Sequence, residues 1–106
     1  MKTLPTWSRR SRFSYAGSVR AGTTISYGSG HIIFVTPGQY SSLLDHFRGM
    51  TVDVWASRTG PPARNVSEWL QANVTKTAIA SYVCPILIDE GFAEKVGRSQ
   101  IAFAKR

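Results

Sequence analysis

The sequence contains one cysteine, Cys84, among its 106 residues. A single thiol excludes an internal disulfide, and together with two histidines it offers too few ligands for a structural zinc site. We therefore expect no metal and no other cofactor. Long apolar runs are also missing, since none approaches the roughly 20 residues of a membrane-spanning helix. The N-terminal residues lack the apolar stretch of a signal peptide. These absences lead us to expect a cytoplasmic protein without a membrane partner.

Acidic residues are scarce as well. Six Asp and Glu face 13 Lys and Arg, which gives a formal net charge of +7. The positive charge is concentrated towards both chain ends, because residues 1–30 contain no acid and residues 91–106 contain only Glu94. A basic excess of this kind favours polyanionic partners such as nucleic acid. A solubilising charge balance with a basic tail is the alternative interpretation.

Motifs that carry enzymatic chemistry are missing too. The plausible catalytic side chains are His31, His46, Asp45 and Asp53, and no nucleophile elbow, paired-carboxylate motif or metal-ligand spacing accompanies them. The Gly28-Ser29-Gly30 segment lacks the helix and lysine that follow a phosphate-binding loop, so it indicates a hairpin turn. We expect a protein that is not an enzyme.

Hydrophobic residues make up 42% of the chain, which is typical of one small globular domain. Residues 1–12 mix basic and polar groups without a period, and this predicts a flexible basic arm. Residues 13–19 can form an extended segment. Residues 23–36 contain two β-branched and aromatic runs around Gly28-Ser29-Gly30, which predicts a β-hairpin.

Helical patterns begin after that hairpin. Apolar residues at 40, 43, 44 and 47 share one helical face and predict a helix over about 39–48. Residues 51–56 alternate as a strand does. Asn65 can cap the next helix, predicted at 65–73, because Glu68 follows at the spacing of a capping box.

A third helix is predicted at 76–90, with Thr75 as its cap. Pro85 lies inside this pattern and should either kink the helix or mark where a helical segment restarts. Gly91 is placed to end it. Residues 92–104 then predict a short β-hairpin.

The order helix, strand, helix, helix, strand, turn, strand resembles that of winged helix-turn-helix proteins. The segment Ile86–Arg98, with leucine, acid, glycine, apolar residue, charge and glycine in that order, resembles a recognition helix running into a wing. The resemblance covers roughly residues 38–106. It implies an α+β fold, a winged helix-turn-helix with an additional N-terminal β-hairpin, in a single domain over residues 13–106.

In winged-helix DNA-binding proteins the second helix of the pair enters the major groove. The resemblance places Lys76, Thr77, Ala80, Ser81 and Cys84 on that outward face. Long donors for base reading are missing there, which favours contacts to the DNA backbone. The predicted function is non-enzymatic binding of duplex DNA, as a regulator or accessory factor. The candidate nucleic-acid-binding residues are Lys76, Thr77, Ser81, Lys95, Arg98, Arg58, Arg64, Arg9, Arg10 and Arg12.

Other functions stay open at this point. The same shape can serve as a protein-interaction module, and the edge of the N-terminal hairpin could pair with a protein partner or with a second copy in a homodimer. A small-ligand pocket could be lined by Tyr27, Phe34, Trp55 and Trp69. Trp7 could stack on a base, although folding back onto the sheet is the favoured interpretation.

Overall fold

The computed structural model describes residues 1–55 and 65–105 of the chain. Within them it is an α+β domain with three helices and two antiparallel sheets. The elements, in chain order, are β1 (Lys2–Pro5), β2 (Arg12–Ser18), β3 (Gly22–Tyr27), β4 (His31–Val35), α1 (Pro37–Phe47), β5 (Thr51–Asp53), α2 (Val66–Asn73), α3 (Ala80–Asp89), β6 (Ala93–Val96) and β7 (Gln100–Phe103).

The first four strands form a sheet in the order β1-β2-β3-β4, each antiparallel to the next. Successive side chains of each strand point to opposite faces of the sheet, and in this sheet the two faces differ in burial. Phe13, Tyr15 and Ile25 are buried on the inner face, whereas Thr24 and Ser26 lie on the outer face. The sheet therefore needs another layer over its inner face alone.

Residues 1–12 differ from the predicted flexible arm. Lys2–Pro5 is a strand, paired residue by residue with the start of β2, and Thr6 and Trp7 are buried. The prediction was wrong because β1 is short, contains a lysine and a proline, and is defined by pairing with distant residues rather than by its own pattern. Arg9 and Arg10 are exposed, as an arm would leave them.

Helix α1 begins with a capping box that the sequence analysis did not identify. The Thr36 hydroxyl accepts from the Gln39 N–H at 3.0 Å, and the Gln39 side chain accepts from the Thr36 N–H at 2.9 Å. Pro37 follows at the first helical position, where its missing N–H has no cost. The Tyr40 hydroxyl lies 2.6 Å from that of Thr23, which fixes the helix to the first sheet.

The second sheet has the order β5-β7-β6 and packs against α1. Phe47 of α1 stacks on Phe103 of β7 with ring centroids 5.2 Å apart. Gly97, at φ +62°, makes the turn between β6 and β7. We call β6, β7 and this turn the C-terminal hairpin.

Helix α2 starts as its cap predicts, because the Asn65 side chain accepts from the Glu68 N–H at 2.8 Å. Helix α3 differs from prediction at its start. It begins at Ala80 rather than at 76, its cap residue is Ile79, and Thr75 does not cap it. It ends at Asp89, and Gly91 (φ +84°) follows the cap residue Glu90 in the stop position that was predicted for it, in a Schellman arrangement of backbone bonds.

Helix α3 is the centre of the core. Ala80, Val83, Cys84, Ile86 and Leu87 all have no exposed surface. The predicted outward face, with Ala80 and Cys84, is therefore wrong. Ala80 and Cys84 face the hydrophobic core instead, and the N-terminal sheet contacts the helix on another side, at Tyr82 and Asp89. Nearly all of the α3 sequence is apolar, which is typical of a helix buried on several sides.

None of the helices in the described residues is long and apolar enough to cross a membrane.

Candidate nucleic-acid interface

The loop between β1 and β2, residues 6–11, is a closed and ordered turn. The Thr6 N–H donates to the Ser11 carbonyl at 2.9 Å, and the Arg9 N–H donates to the Thr6 carbonyl at 2.9 Å. Arg9 has φ +61°, the left-handed conformation that closes the turn. Arg9 and Arg10 are consequently held at the tip of a tight hairpin. We call residues 6–11 the N-terminal loop.

Trp7 attaches this loop to α3 through the backbone. Its N–H donates to the Ser81 carbonyl at 3.0 Å. In a regular helix that carbonyl would accept from the residue four positions later, which here is Pro85 and has no N–H. The proline leaves this acceptor without a partner inside the helix, and the loop supplies the missing donor. Helix α3 is therefore continuous through Pro85, and the Ser81 carbonyl is not left unpaired.

The Trp7 side chain attaches the same loop to the C-terminal hairpin. Its indole Nε1–H donates to the Arg98 carbonyl at 2.7 Å. The Lys95 ammonium lies 4.7 Å from the centre of the indole ring and donates to the Trp7 carbonyl at 3.3 Å. Trp7 therefore joins two basic segments of the chain. Because only 3% of its surface is exposed, its ring is not available to stack on a ligand.

This attachment brings together cations that are about 90 residues apart in sequence. We define the basic cluster as the exposed residues Arg9, Arg10, Arg12, Lys95 and Arg98. Among the described residues none of the five lies within 4.0 Å of a carboxylate, since the ion pairs found there are Lys2–Asp89 and Arg48–Asp45. The cluster is thus a source of uncompensated positive potential.

The acidic side chains near the basic cluster either form an ion pair with a different cation or point away from the cluster. Glu94 lies on the face of β6 opposite Lys95, because side chains alternate along a strand. Asp89 accepts from Lys2 at 2.6 Å. A groove of about 240 Å³ runs between the N-terminal loop and α3, with Arg9 and Lys95 among its lining residues.

The other predicted contact residues are placed differently. Lys76 and Thr77 are exposed but precede α3 instead of lying on it. Ser81 is half-buried, and its carbonyl is the one that Trp7 occupies. Arg58 and Arg64 lie outside the described residues. The structure therefore brings together five of the ten candidates, on a surface that does not include the face of α3.

A second set of contacts holds the N-terminal sheet over the C-terminal end of α3. The Tyr15 hydroxyl donates its single hydrogen to Glu90 at 2.9 Å, and an Asp89 oxygen lies within reach of the same hydrogen at an O···O distance of 3.3 Å. The other Glu90 oxygen accepts from the Val19 N–H at 2.9 Å. Burial, followed by the hydrogen bond to Glu90, raises the pKa of Tyr15 well above its usual value. The sheet is attached to both ends of the helix it covers.

The catalytic candidates do not converge. His31 stacks on Tyr27, while His46 lies against Phe47 and Trp69. In the part of the chain that the structure describes, no three His, Cys, Asp or Glu side chains are grouped as metal ligands are. Cys84 is fully buried, which raises the pKa of its thiol far above the usual range.

The aromatic residues predicted to line a ligand pocket are also separated. Tyr27 lies on the inner face of the first sheet, stacked on Tyr82 at 4.7 Å. Phe34 pairs with Thr24 on the outer face, and 56% of it is exposed. Two side chains on opposite faces of one sheet cannot line one cavity, so the predicted pocket is not formed.

Sequence reasoning missed the role of Trp7 as the anchor. One signal was present, since a proline inside a helix leaves the carbonyl four residues earlier in need of a donor. Its partner could not be read from the sequence, because Trp7 and Ser81 are far apart along the chain.

Comparison with protein-family models, with curated proteins and with solved structures finds no match for this chain.

Proposed function

We propose that this protein binds duplex DNA without chemistry, through the basic cluster rather than through helix α3. The observation that carries the proposal is the double attachment of Trp7, which fixes the N-terminal loop beside the C-terminal hairpin. The N-terminal loop and the C-terminal hairpin each carry cations without an ion-pair partner among the described residues, and they are held at a fixed separation. Such an arrangement suits contacts to the phosphates of a nucleic-acid backbone. The proposed role is that of a regulator or accessory factor.

The C-terminal half is proposed to be a winged helix, with the C-terminal hairpin as its wing. Support comes from the order α1, β5, α2, α3, β6, β7, which is the order that the resemblance implies. The N-terminal sheet is then an addition that covers the second helix of the pair. A covered helix cannot enter a major groove, so in this proposal the wing and the N-terminal loop make the contacts.

Binding of this kind is expected to depend little on base sequence. The cluster offers arginine and lysine side chains to phosphates, and the side chains that would read base edges are not presented by α3. Duplexes of unrelated sequence should compete with each other at similar concentrations. Strong preference for one sequence would contradict the proposed mode.

Fluorescence anisotropy with a short labelled duplex tests the proposal. If three to five cations contact phosphates, raising the salt from about 50 to about 200 mM should weaken binding by about 40- to 500-fold, because each neutralised phosphate releases a counterion. Absence of binding at the lower salt concentration would overturn the proposal.

Single charge removals identify the surface. Arg98→Gln and Arg10→Gln should each weaken binding to every duplex and lower the slope of log affinity against log salt by about 1. Arg20→Gln is the matched control, since Arg20 is exposed in the turn at the opposite end of β2 from the N-terminal loop. Equal losses for all three variants would indicate a nonspecific effect of net charge.

A further inference from the structure

The described strands present four sheet edges, and three of them carry features that block pairing with another strand. Edge β1 contains Lys2 and Pro5, and edge β6 contains Glu94 and Lys95. Edge β5 is three residues long and ends at Asp53. Charge, proline and short length are the usual protections of a sheet edge.

Edge β4 has none of these protections. Its sequence, His31-Ile32-Ile33-Phe34-Val35, contains no lysine, acid, proline or glycine. Ile32 is 67% exposed and Phe34 56% exposed, side by side on the outer face. The tip of the Phe34 ring lies over Gly22, because a Cβ added at Gly22 would be 3.3 Å from the ring. This contact leaves most of the ring exposed.

We propose that β4 pairs antiparallel with β4 of a second copy, with the two-fold axis at Ile33. In this register Ile33 lies opposite itself, and Ile32 of each copy lies opposite Phe34 of the other. Both aromatic–β-branched pairs therefore form on the same face of the combined sheet, and such cross-strand pairs are stabilising. The two first sheets join into one continuous sheet of eight strands.

A second copy fits this edge better than a different protein does. The β4 side chains are apolar apart from His31, the neighbouring outer-face residues Thr24 and Ser26 are uncharged, and Arg12 is the cation that lines the same depression as Ile32. The strand itself therefore presents an apolar surface and does not present a charged surface that would select a partner of opposite sign. An identical uncharged strand is self-complementary, as an isologous interface requires. Of the basic cluster, Arg12 comes nearest to this edge, because it lines the same surface depression as His31 and Ile32. Arg9 and Arg10 lie farther away, in the loop between β1 and β2.

The dimer is expected to be weak. Pairing of two five-residue edges buries less than the roughly 1,200–2,000 Å² of a stable interface, so a dissociation constant on the order of tens of micromolar is expected. Each dimer would carry two basic clusters, although the pairing itself does not depend on DNA binding.

Cysteine cross-linking tests the register. Facing Cα atoms of an antiparallel pair are about 4.5–5.5 Å apart, a separation that permits a disulfide. Ile33→Cys should therefore form a covalent dimer on mild oxidation, whereas Ile32→Cys, which faces Phe34, should do so at least about tenfold more slowly. The native chain is the control, since its single thiol is buried. Equal cross-linking of both variants would overturn the register.

Sedimentation over about 1 to 200 µM tests the dimer itself. The native chain should shift towards dimer with concentration, and Ile32→Lys should weaken association by at least about tenfold through charge on the edge. Val96→Lys, at the exposed end of β6, adds the same charge elsewhere and should leave association unchanged. A native chain that is monomeric throughout, or association that Ile32→Lys leaves intact in a folded protein, would contradict the proposal.

Discussion

The backbone N–H of Trp7 donates to the carbonyl of Ser81 at 3.0 Å, which is the carbonyl that a proline four residues later leaves without a helical partner. The distance in sequence between donor and acceptor explains how one bond links the two halves of the domain. A proline inside a helix usually costs about 3 kcal/mol, in part through the lost hydrogen bond. Here that acceptor is satisfied from outside the helix, and the N-terminal loop gains a fixed position.

Pro85→Ala should loosen this attachment. Alanine supplies an N–H within the helix, which competes with the Trp7 N–H for the Ser81 carbonyl. We expect the Trp7 amide to exchange with solvent about tenfold faster, while the amides of α3 become better protected. Hydrogen exchange followed by NMR measures both. Ser81→Ala keeps the carbonyl and the proline and should leave Trp7 protected, and unchanged Trp7 exchange in Pro85→Ala would show that the bond is not what holds the loop.

Trp7→Phe isolates the contribution of the indole N–H. Phenylalanine retains most of the buried ring but cannot donate to the Arg98 carbonyl, so the free energy of unfolding should fall by about 1 kcal/mol. Trp7→Ala should cost about 3–5 kcal/mol, because it also leaves a cavity. Urea unfolding followed by circular dichroism measures these losses. Trp55→Phe, at a residue that is 37% exposed, should have little effect. A Trp7→Phe variant as stable as the native chain would mean that water replaces the indole at no cost.

Arg9→Gly separates stability from charge. Arg9 adopts a positive φ that glycine accepts without a steric penalty, so this variant should be as stable as the native chain or more stable by up to about 1 kcal/mol. It should still bind DNA less tightly, because one cation of the cluster is lost.

Arg10→Gly is the matched comparison for that experiment. It removes the same charge at a residue whose φ is not positive, so it should lower stability by about 0.5–1 kcal/mol. Thermal unfolding and anisotropy together distinguish the two variants. Loss of stability in Arg9→Gly would show that its side chain, and not only its backbone, holds the turn.

The N-terminal sheet shows what local patterns could and could not predict. The β3–β4 hairpin follows from β-branched runs around Gly28-Ser29-Gly30, and the cap at Asn65 and the stop at Gly91 follow from single residues with known backbone preferences. Strand β1 has no such signal, since its pairing with β2 defines it. Local patterns predict elements, whereas the position of one sheet over a helix depends on distant contacts.

The candidate site depends on such a distant contact. The cations themselves were predicted from charge, and five of them lie in the basic cluster. The role of α3 was predicted by resemblance, and Ala80 and Cys84 proved to be buried. The sequence of α3 is apolar on several sides, and this pattern could have indicated that the helix is buried and has no exposed face for DNA.

The free energy of unfolding should decrease at alkaline pH, because two buried tyrosine hydroxyls have raised pKa values in the folded state. Burial is the main cause that raises the pKa of both Tyr15 and Tyr40 above the ordinary value of about 10. A raised pKa in the folded state means that the stabilisation is fully present below about pH 10 and is lost as the pH rises further, since the unfolded chain releases these protons first.

Urea midpoints measured between about pH 8 and about pH 11.5 test this expectation. The midpoint should fall above about pH 10, and tyrosinate absorbance should rise together with unfolding. Tyr15→Phe should be less stable at neutral pH, because Glu90 loses a donor, but its stability should fall less steeply with pH. An equally steep fall in Tyr15→Phe would assign the alkaline transition to other groups.

The proposed mode of binding is tested most directly by mapping amide chemical shifts during titration with a short duplex at low salt. The account predicts that the largest perturbations fall on residues 7–12 and 95–99, while the amides of α3 between Ala80 and Asp89 change little and Tyr15 stays attached to Glu90. Perturbations concentrated on α3, together with loss of the contacts that hold the N-terminal sheet over it, would contradict the account, because the helix would then be the surface that meets the DNA.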